Sequence, residues 1–282
     1  MLLLVDLDGV VYRGNDPVPG VAAVLAARAA AGDHVVYVTN NAMWYRADYV
    51  TRLSGMGAPV TADTVISSAR ATALYIHDTM PGVRRVLAVG GPGLTHELRD
   101  MGLDVLEAGE AEKVWASNGR DSRAAVGHVD AVVAGLDQGL TYGRLACAAE
   151  AIRSGATFIA TNRDPNLPHE KGLLPGAGTV VAALQTSSGV VPIEIGKPGP
   201  VLLETAARSV GMDVHDAVVI GDSLNTDIAA AVAVGCRSIL ILTGISRRHQ
   251  AEALPPEKRP TVIVEDAVEL ASALDRMAAE RP

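Results

Sequence analysis

Short, wholly apolar runs that stop at polar residues alternate along this chain with longer Ala/Leu-rich stretches of helical period. Leu2 to Val5 is one such run, reads as a strand buried on both faces, and stops at Asp6-Leu7-Asp8-Gly9. The stretch 21–31 reads as a helix stopped by Gly32, and 35–38 as a second buried strand that ends at Thr39-Asn40-Asn41. Helical patterns over 46–54 and 63–76 precede a break at Pro81-Gly82. A second alternation fills 86–184, with strands at 86–89, 131–133 and 157–160 and helices at 94–101, 142–154 and 179–184. Then 191–195 leads into Gly196-Lys197-Pro198, a helix at 200–210, a strand at 217–220 and the turn Gly221-Asp222-Ser223. A helix at 228–234, strands at 238–242 and 261–264 and a helix at 267–277 complete the chain.

This pattern predicts an α/β protein built on a Rossmann-like, doubly wound parallel sheet, with 1–79 and 188–282 as one domain and 80–187 as a smaller α/β domain. The length of 282 residues suits two domains. Hydrophobic residues make up 49% and charged residues 20%, which excludes a disordered chain. Aromatics are only 3%, with Phe158 the single phenylalanine, so the core must be made of Ala, Val, Leu and Ile. A formal charge of −8 disfavours general binding to nucleic acid or to anionic membranes. The two cysteines, Cys147 and Cys236, show no CxxC spacing and read as buried thiols of a reducing compartment. The first residues lack a basic start, and no apolar run reaches the roughly 20 residues of a spanning helix, so a cytoplasmic protein is expected.

Ligands of parallel α/β sheets lie beyond the carboxyl ends of the strands. Asp6 and Asp8, Thr39 and Asn40, Lys197 and Asp222 all follow predicted strands or the turns after them, so they could share one crevice. Asp6 and Asp8 are two apart on an extended segment and face the same side, with Gly9 free to turn the backbone. One carboxylate can attack phosphorus while the other delivers a proton to the leaving oxygen and later activates water. A divalent cation would offset the repulsion between carboxylate and phosphate, and oxygen ligands from Asp6, the Asp8 carbonyl and Asp222 suit magnesium. Each piece also has a plainer reading. Asp6 to Gly9 could be an acidic turn, Thr39-Asn40-Asn41 a helix cap, Lys197 a surface lysine and Asp227 a capping residue.

Together the pieces resemble a known family. DLDGVVY (6–12), TNN (39–41), GKPGP (196–200) and GDSLNTDI (221–228) are similar to the signatures of haloacid-dehalogenase-like phosphatases. GLDQGLTY (135–142), FIATNRD (158–164) and LPGAGTVVAAL (174–184) look like the large α/β cap of the phosphoglycolate, p-nitrophenyl and glycerol-phosphate phosphatase branch. The resemblance implies Asp6 as nucleophile, Asp8 as general acid and base, and Thr39, Asn40 and Lys197 as phosphate ligands. It further implies Asp6, Asp8 and Asp222 at a Mg2+ ion, Asp227 and Asn225 in support around it, and Asn162 and Asp164 of the cap near the substrate. Asn225 departs from the aspartate common in this branch, which puts the strength of magnesium binding in question.

The expected activity is hydrolysis of small phosphomonoesters, with glycerol phosphate, phosphoglycolate and sugar phosphates ranked before nucleoside monophosphates. A phosphomutase using the same aspartates and a non-catalytic phosphometabolite sensor are the alternatives; retention of Asp6 and Asp8 argues against the sensor. The expected partner is a small-molecule phosphate ester, with no nucleic acid and no membrane, and a homodimer is allowed. VGGPGLTHEL (89–98) invites a dinucleotide reading, but its spacing is not GxGxxG and Pro92 lacks a backbone donor.

Overall fold

A computed structural model describes residues 1–169 and 172–280. In the first half of the chain the strands are β1 (Leu2–Val5), β2 (Tyr12–Arg13), β3 (Asp16–Pro17), β4 (His34–Thr39), β5 (Val65–Ser67), β6 (Arg85–Val89), β7 (Asp104–Glu107) and β8 (Ala131–Ala134). In the second half they are β9 (Thr157–Ala160), β10 (Asn166–His169), β11 (Gly172–Pro175), β12 (Ile193–Glu194), β13 (Ala217–Gly221), β14 (Arg237–Ile241) and β15 (Val262–Val264). The chain divides into two compact units. One comprises 1–39, 46–66 and 197–282, the other 40–45 and 67–196.

The first unit is a six-stranded sheet in the order β15-β14-β13-β1-β4-β5. β1 pairs in parallel with β13 (Val5 beside Ile220) and with β4 (Val5 beside Tyr37), and β13, β14 and β15 continue in parallel. Leu2 to Val5 are fully buried, as an apolar run covered on both faces requires. The helices Val21–Ala30 and Ala267–Ala279 lay Leu25, Leu270 and Leu274 on one side of the sheet, in a cluster with Leu3, Val5, Ile220 and Ile239. Strand order reverses between β1 and β13, the topological switch point at which such sheets hold ligands.

The second unit repeats the plan with a five-stranded sheet, β12-β9-β8-β6-β7, whose strand pairs are all parallel. Its core is small, as the composition requires: Ala134, Ala148, Ala151 and Ala160 pack with Leu87, Val132, Phe158 and Leu184. A hairpin of β10 and β11 completes the unit. Among the described residues no helix is long and apolar enough to cross a membrane. Both cysteines are free thiols, and burial pushes each up to about 11.

Two segments differ from the sequence reading. In place of one helix over 63–76, a 3-10 turn (Ala62–Thr64) leads into β5 and then the helix Ser68–Thr79. Buried Val65 and Ile66 favour the extended form, and Ser67 starts the helix by accepting a hydrogen bond from the Arg70 amide. That helix packs on the helix Pro92–Asp100 of the second unit. The run 191–195 yields β12, which pairs with β9, so the second unit extends to Gly196. The strand β7 and the helices Ala108–Ser117 and Ser122–Val126 have no counterpart in the sequence reading.

Candidate active site

Asp6 is the first residue beyond β1, held there by its amide donating to Ile220 O (2.9 Å). The chain then turns tightly: the amides of Val10, Val11 and Tyr12 all point at Leu7 O, and Gly9 N donates to Tyr12 O (2.7 Å). Gly9 has φ +84°, and a Cβ there would lie 2.3 Å from Asp222 Oδ2. Both the left-handed backbone and the close approach of Asp222 therefore demand glycine.

Asp222 follows β13 and is held by the loop after β14. Its Oδ2 accepts from Ile245 N (2.7 Å) and its carbonyl from Ser246 N (3.1 Å), while Thr243 Oγ1 donates to Gly9 O (2.6 Å). A Cβ at Gly244 would stand 1.8 Å from Asp222 Oδ2, so this loop too must pass the carboxylate without a side chain.

Lys197 is 3% exposed and spends its ammonium on three acceptors: Asp6 Oδ1 at 2.5 Å, Asp227 Oδ1 at 2.6 Å and Val38 O at 3.3 Å. Asp227 lies in the π-helical turn Leu224–Ile228, and its other oxygen accepts from Ser223 N (3.1 Å). One oxygen from each of Asp6, Asp222 and Asp227 falls within 4.8 Å of the others.

The electrostatics follow from this crowding. Burial raises the Asp6 carboxyl well above its ordinary range, Asp227 and Asp222 raise it further, and Lys197 opposes them. Asp222 is pushed up to about 6, first by burial and then by Asp227. Burial lowers Lys197, but Asp227 and Asp6 outweigh it and hold the ammonium charged. With all three carboxylates ionised, the one ammonium would leave an excess of two negative charges, which is what raises Asp6 and Asp222 beyond the effect of burial. A divalent cation with a preference for oxygen ligands fits this donor set, which contains neither His nor Cys.

Asp8 reaches solvent, and its carboxyl is raised by the surrounding protein and drawn down by Arg52 and Lys197. Thr39 ends β4 and is buried. Asn40, Asn162 and Asp164 meet one another in the second unit: Asn162 Nδ2 donates to Asn40 O (2.7 Å) and Asn40 Nδ2 to Asp164 Oδ2 (3.0 Å). Asn225 is exposed, with no side-chain hydrogen bond among the described residues.

Two contributors escaped the sequence reading. The loop Thr243-Gly244-Ile245-Ser246 grips Asp222, and its signal was a polar run directly after a buried strand, the same cue that singled out Asp6. Arg52 lies with its guanidinium 3.5 Å from the Tyr12 ring centroid and donates to Gly14 O, fastening the loop that follows Asp8. A single arginine on a polar helix face gave no sequence cue.

The chain matches the family model described as haloacid dehalogenase-like hydrolase over residues 3–104, and a HAD-hydrolase-like model over 194–270. An acid sugar phosphatase of Staphylococcus saprophyticus is 35% identical over 255 residues, spanning 90% of this chain and 91% of its own. The structure of a p-nitrophenyl phosphatase from Archaeoglobus fulgidus shares the fold at a TM-score of 0.83 and 27% identity, covering 96% of this chain and 98% of the other. A glycerol phosphate phosphatase from Mycobacterium tuberculosis, in complex with magnesium, superposes at a TM-score of 0.80 and 36% identity over 95% of this chain and 75% of its own. The aspartates at the switch point, the buried lysine that joins two of them and this likeness over nearly the whole length agree: the chain belongs to the haloacid dehalogenase-like hydrolases.

Proposed function

We propose that this protein is a magnesium-dependent phosphatase of small phosphomonoesters that works through a phosphorylated Asp6. The observation that carries the reading is the buried bridge from Lys197 to Asp6 and Asp227, set among three carboxylates at the sheet's switch point. Haloacid dehalogenase-like phosphatases use magnesium. In this chain Asp6, Asp222 and the Asp8 carbonyl would hold it. When bound, the ion offsets the charge of the carboxylates and of the phosphoryl oxygens.

The chain's own groups then divide the work. An Asp6 oxygen attacks phosphorus as the bond to the ester oxygen breaks, and Asp8 gives its proton to that oxygen so that the alcohol leaves neutral. Water next attacks the phosphorylated Asp6, Asp8 takes a proton from it, and the bond from Asp6 to phosphorus breaks to release inorganic phosphate. A raised Asp8 carboxyl suits the first of these roles. Lys197 keeps Asp6 oriented and sets its positive charge beside the phosphoryl oxygens, to which Thr39 supplies a donor. Asp227, with one oxygen on Lys197 and the other on Ser223 N, fixes the ammonium in place.

The second unit acts in this reading as the cap that limits entry to small esters. Polyol and sugar phosphates rank first, with phosphoglycolate beside them and nucleoside monophosphates second. Support comes from the relatives, an acid sugar phosphatase and a glycerol phosphate phosphatase. The free thiols Cys147 and Cys236 support a reducing, cytoplasmic setting. The test is phosphate release across glycerol phosphate, phosphoglycolate, sugar phosphates and nucleoside monophosphates with magnesium. Release from none of them, or conversion of a sugar phosphate to its isomer without release, overturns the reading.

A further inference from the structure

The chain passes between its two units at 39/40, 45/46, 66/67 and 196/197. Three of these passages adjoin a single residue of the second unit, Asn40. Asn40 itself follows Thr39. Its carbonyl accepts hydrogen bonds from Ser68 Oγ (2.6 Å), just past the third passage, and from Asn162 Nδ2 (2.7 Å). Gly196, just before the fourth, lies so close that a Cβ there would stand 2.7 Å from Asn40 Oδ1, 2.7 Å from Thr161 O and 2.8 Å from Asn162 Cβ. The Asn40 amide donates to Asp164 Oδ2 (3.0 Å), and Asp164 N returns to Asn162 Oδ1 (3.1 Å).

Asn162 therefore has its amide engaged at both ends. Its oxygen takes Asp164 N, and its nitrogen serves Asn40 O and Thr161 Oγ1 (3.4 Å). It is 5% exposed. A side chain so committed is built to hold the backbone. We infer that Asn162 and Asp164 are positioning residues: they fix Asn40 and Gly196 and, through the adjoining peptide bonds, the placement of Thr39 and Lys197. This role replaces the leaving-group contact that the sequence suggests for them, and it rests on the phosphatase reading above.

The two roles differ in what they predict. A residue that reads the leaving group discriminates between esters, whereas one that places the phosphoryl ligands affects every ester alike. The assay is steady-state hydrolysis of glycerol phosphate and of p-nitrophenyl phosphate with magnesium, for wild type, Asp164→Ala, Asp164→Asn, Asn40→Ala and the Asn40→Ala/Asp164→Ala double variant. Misplacing catalytic groups by a fraction of an ångström should lower kcat of Asp164→Ala about 10- to 100-fold with KM little changed, by the same factor on both esters. Asp164→Asn keeps an acceptor for Asn40 Nδ2 and should recover most of the loss. Because Asp164 acts through Asn40, the double variant should be no worse than the poorer single one. If Asp164→Ala does not fold, Asp164→Ser, too short to reach Asn40, takes its place in the cycle. A loss confined to glycerol phosphate, or losses that multiply in the double variant, overturns the positioning role while leaving the phosphatase reading intact. A wild type that hydrolyses neither ester nor any other phosphomonoester overturns that reading, and the positioning role with it.

Discussion

Lys197 shows how one side chain can hold a site together and, in the function proposed above, also serve its chemistry. Its ammonium is the sole positive charge in contact with Asp6 and Asp227 among the described residues, and all its donors are used. Lys197→Ala would strip that charge and leave two carboxylates facing each other in a buried setting, which costs about 3–5 kcal/mol when one partner of a buried ion pair is removed. We expect a fall of about 10²-fold or more in kcat/KM, as for loss of one electrostatic donor, together with a lowered denaturation midpoint of the magnesium-free protein. An unchanged kcat/KM would place Lys197 outside the chemistry. Asp6→Asn separates the two roles. The amide keeps an oxygen that can accept from Lys197, so the fold should survive, yet it cannot form the acyl phosphate and turnover should vanish. Phosphate release within about tenfold of wild type, in a variant with a native melting profile, would exclude covalent catalysis at Asp6; a tenfold margin is only about 1.4 kcal/mol of barrier.

At the scale of elements, Asp130 ties two strand ends together. Its Oδ2 accepts from both Arg84 N and Arg85 N (2.8 Å each), joining the start of β6 to the residue before β8, and these backbone donors hold its carboxyl below the ordinary range. A lowered carboxyl stabilises the fold in its ionised form. That contribution is complete above the ordinary value of 3.8 and is lost as pH falls through the folded value below it. Asp130→Ala should lower stability at neutral pH by about 1–3 kcal/mol, read by denaturant melts, and the gap to wild type should shrink in acid below about pH 4. A gap that widens on acidification would contradict the sign. The elements also show what the sequence could and could not reveal. β1, β4, β13 and β14 were legible because strands covered on both faces carry a continuous apolar run, and each run gives way within a residue or two to polar residues. The same contrast marked Asp6, Thr39 and Asp222. What stayed hidden depends on partners distant in sequence. The residues 193–194 form a strand only because β9 offers an edge, Val65 and Ile66 only because they reach the sheet beside β4, and Asn225 is exposed although it sits among site-like neighbours. The engagement of Asn162 and Asp164 with Asn40 joins positions more than 120 apart, and no local pattern announces such a bond.

For the whole molecule the governing quantity is the unbalanced charge at the switch point. Three buried carboxylates, when ionised, and one ammonium leave two negative charges where β1 and β13 end side by side, at the centre of the six-stranded sheet. A fold that carries such an excess is stabilised by whatever cation the site accepts, because an ion bound only to the folded state shifts the unfolding equilibrium by mass action. Magnesium at about a hundred times its dissociation constant should add about 2.7 kcal/mol, or a rise in melting temperature of about 5 °C or more. Chelator should remove both the rise and the activity, and readdition should restore them. Zinc should restore little, since the cluster offers carboxylate oxygens and no thiolate or imidazole. Asp222→Asn tests the origin of the shift without turnover. It removes one of the three negative charges at a residue clasped by Gly9, Gly244 and Ile245 N, and its amide oxygen can still accept from that nitrogen, so the variant should fold while responding weakly to magnesium. Asp164→Asn, distant in role, should keep the full response. A melting temperature indifferent to magnesium in wild type, or equally responsive in Asp222→Asn, would mean that the cation is held elsewhere and that the cluster of Asp6, Asp222 and Asp227 is balanced by Lys197 and protonation alone.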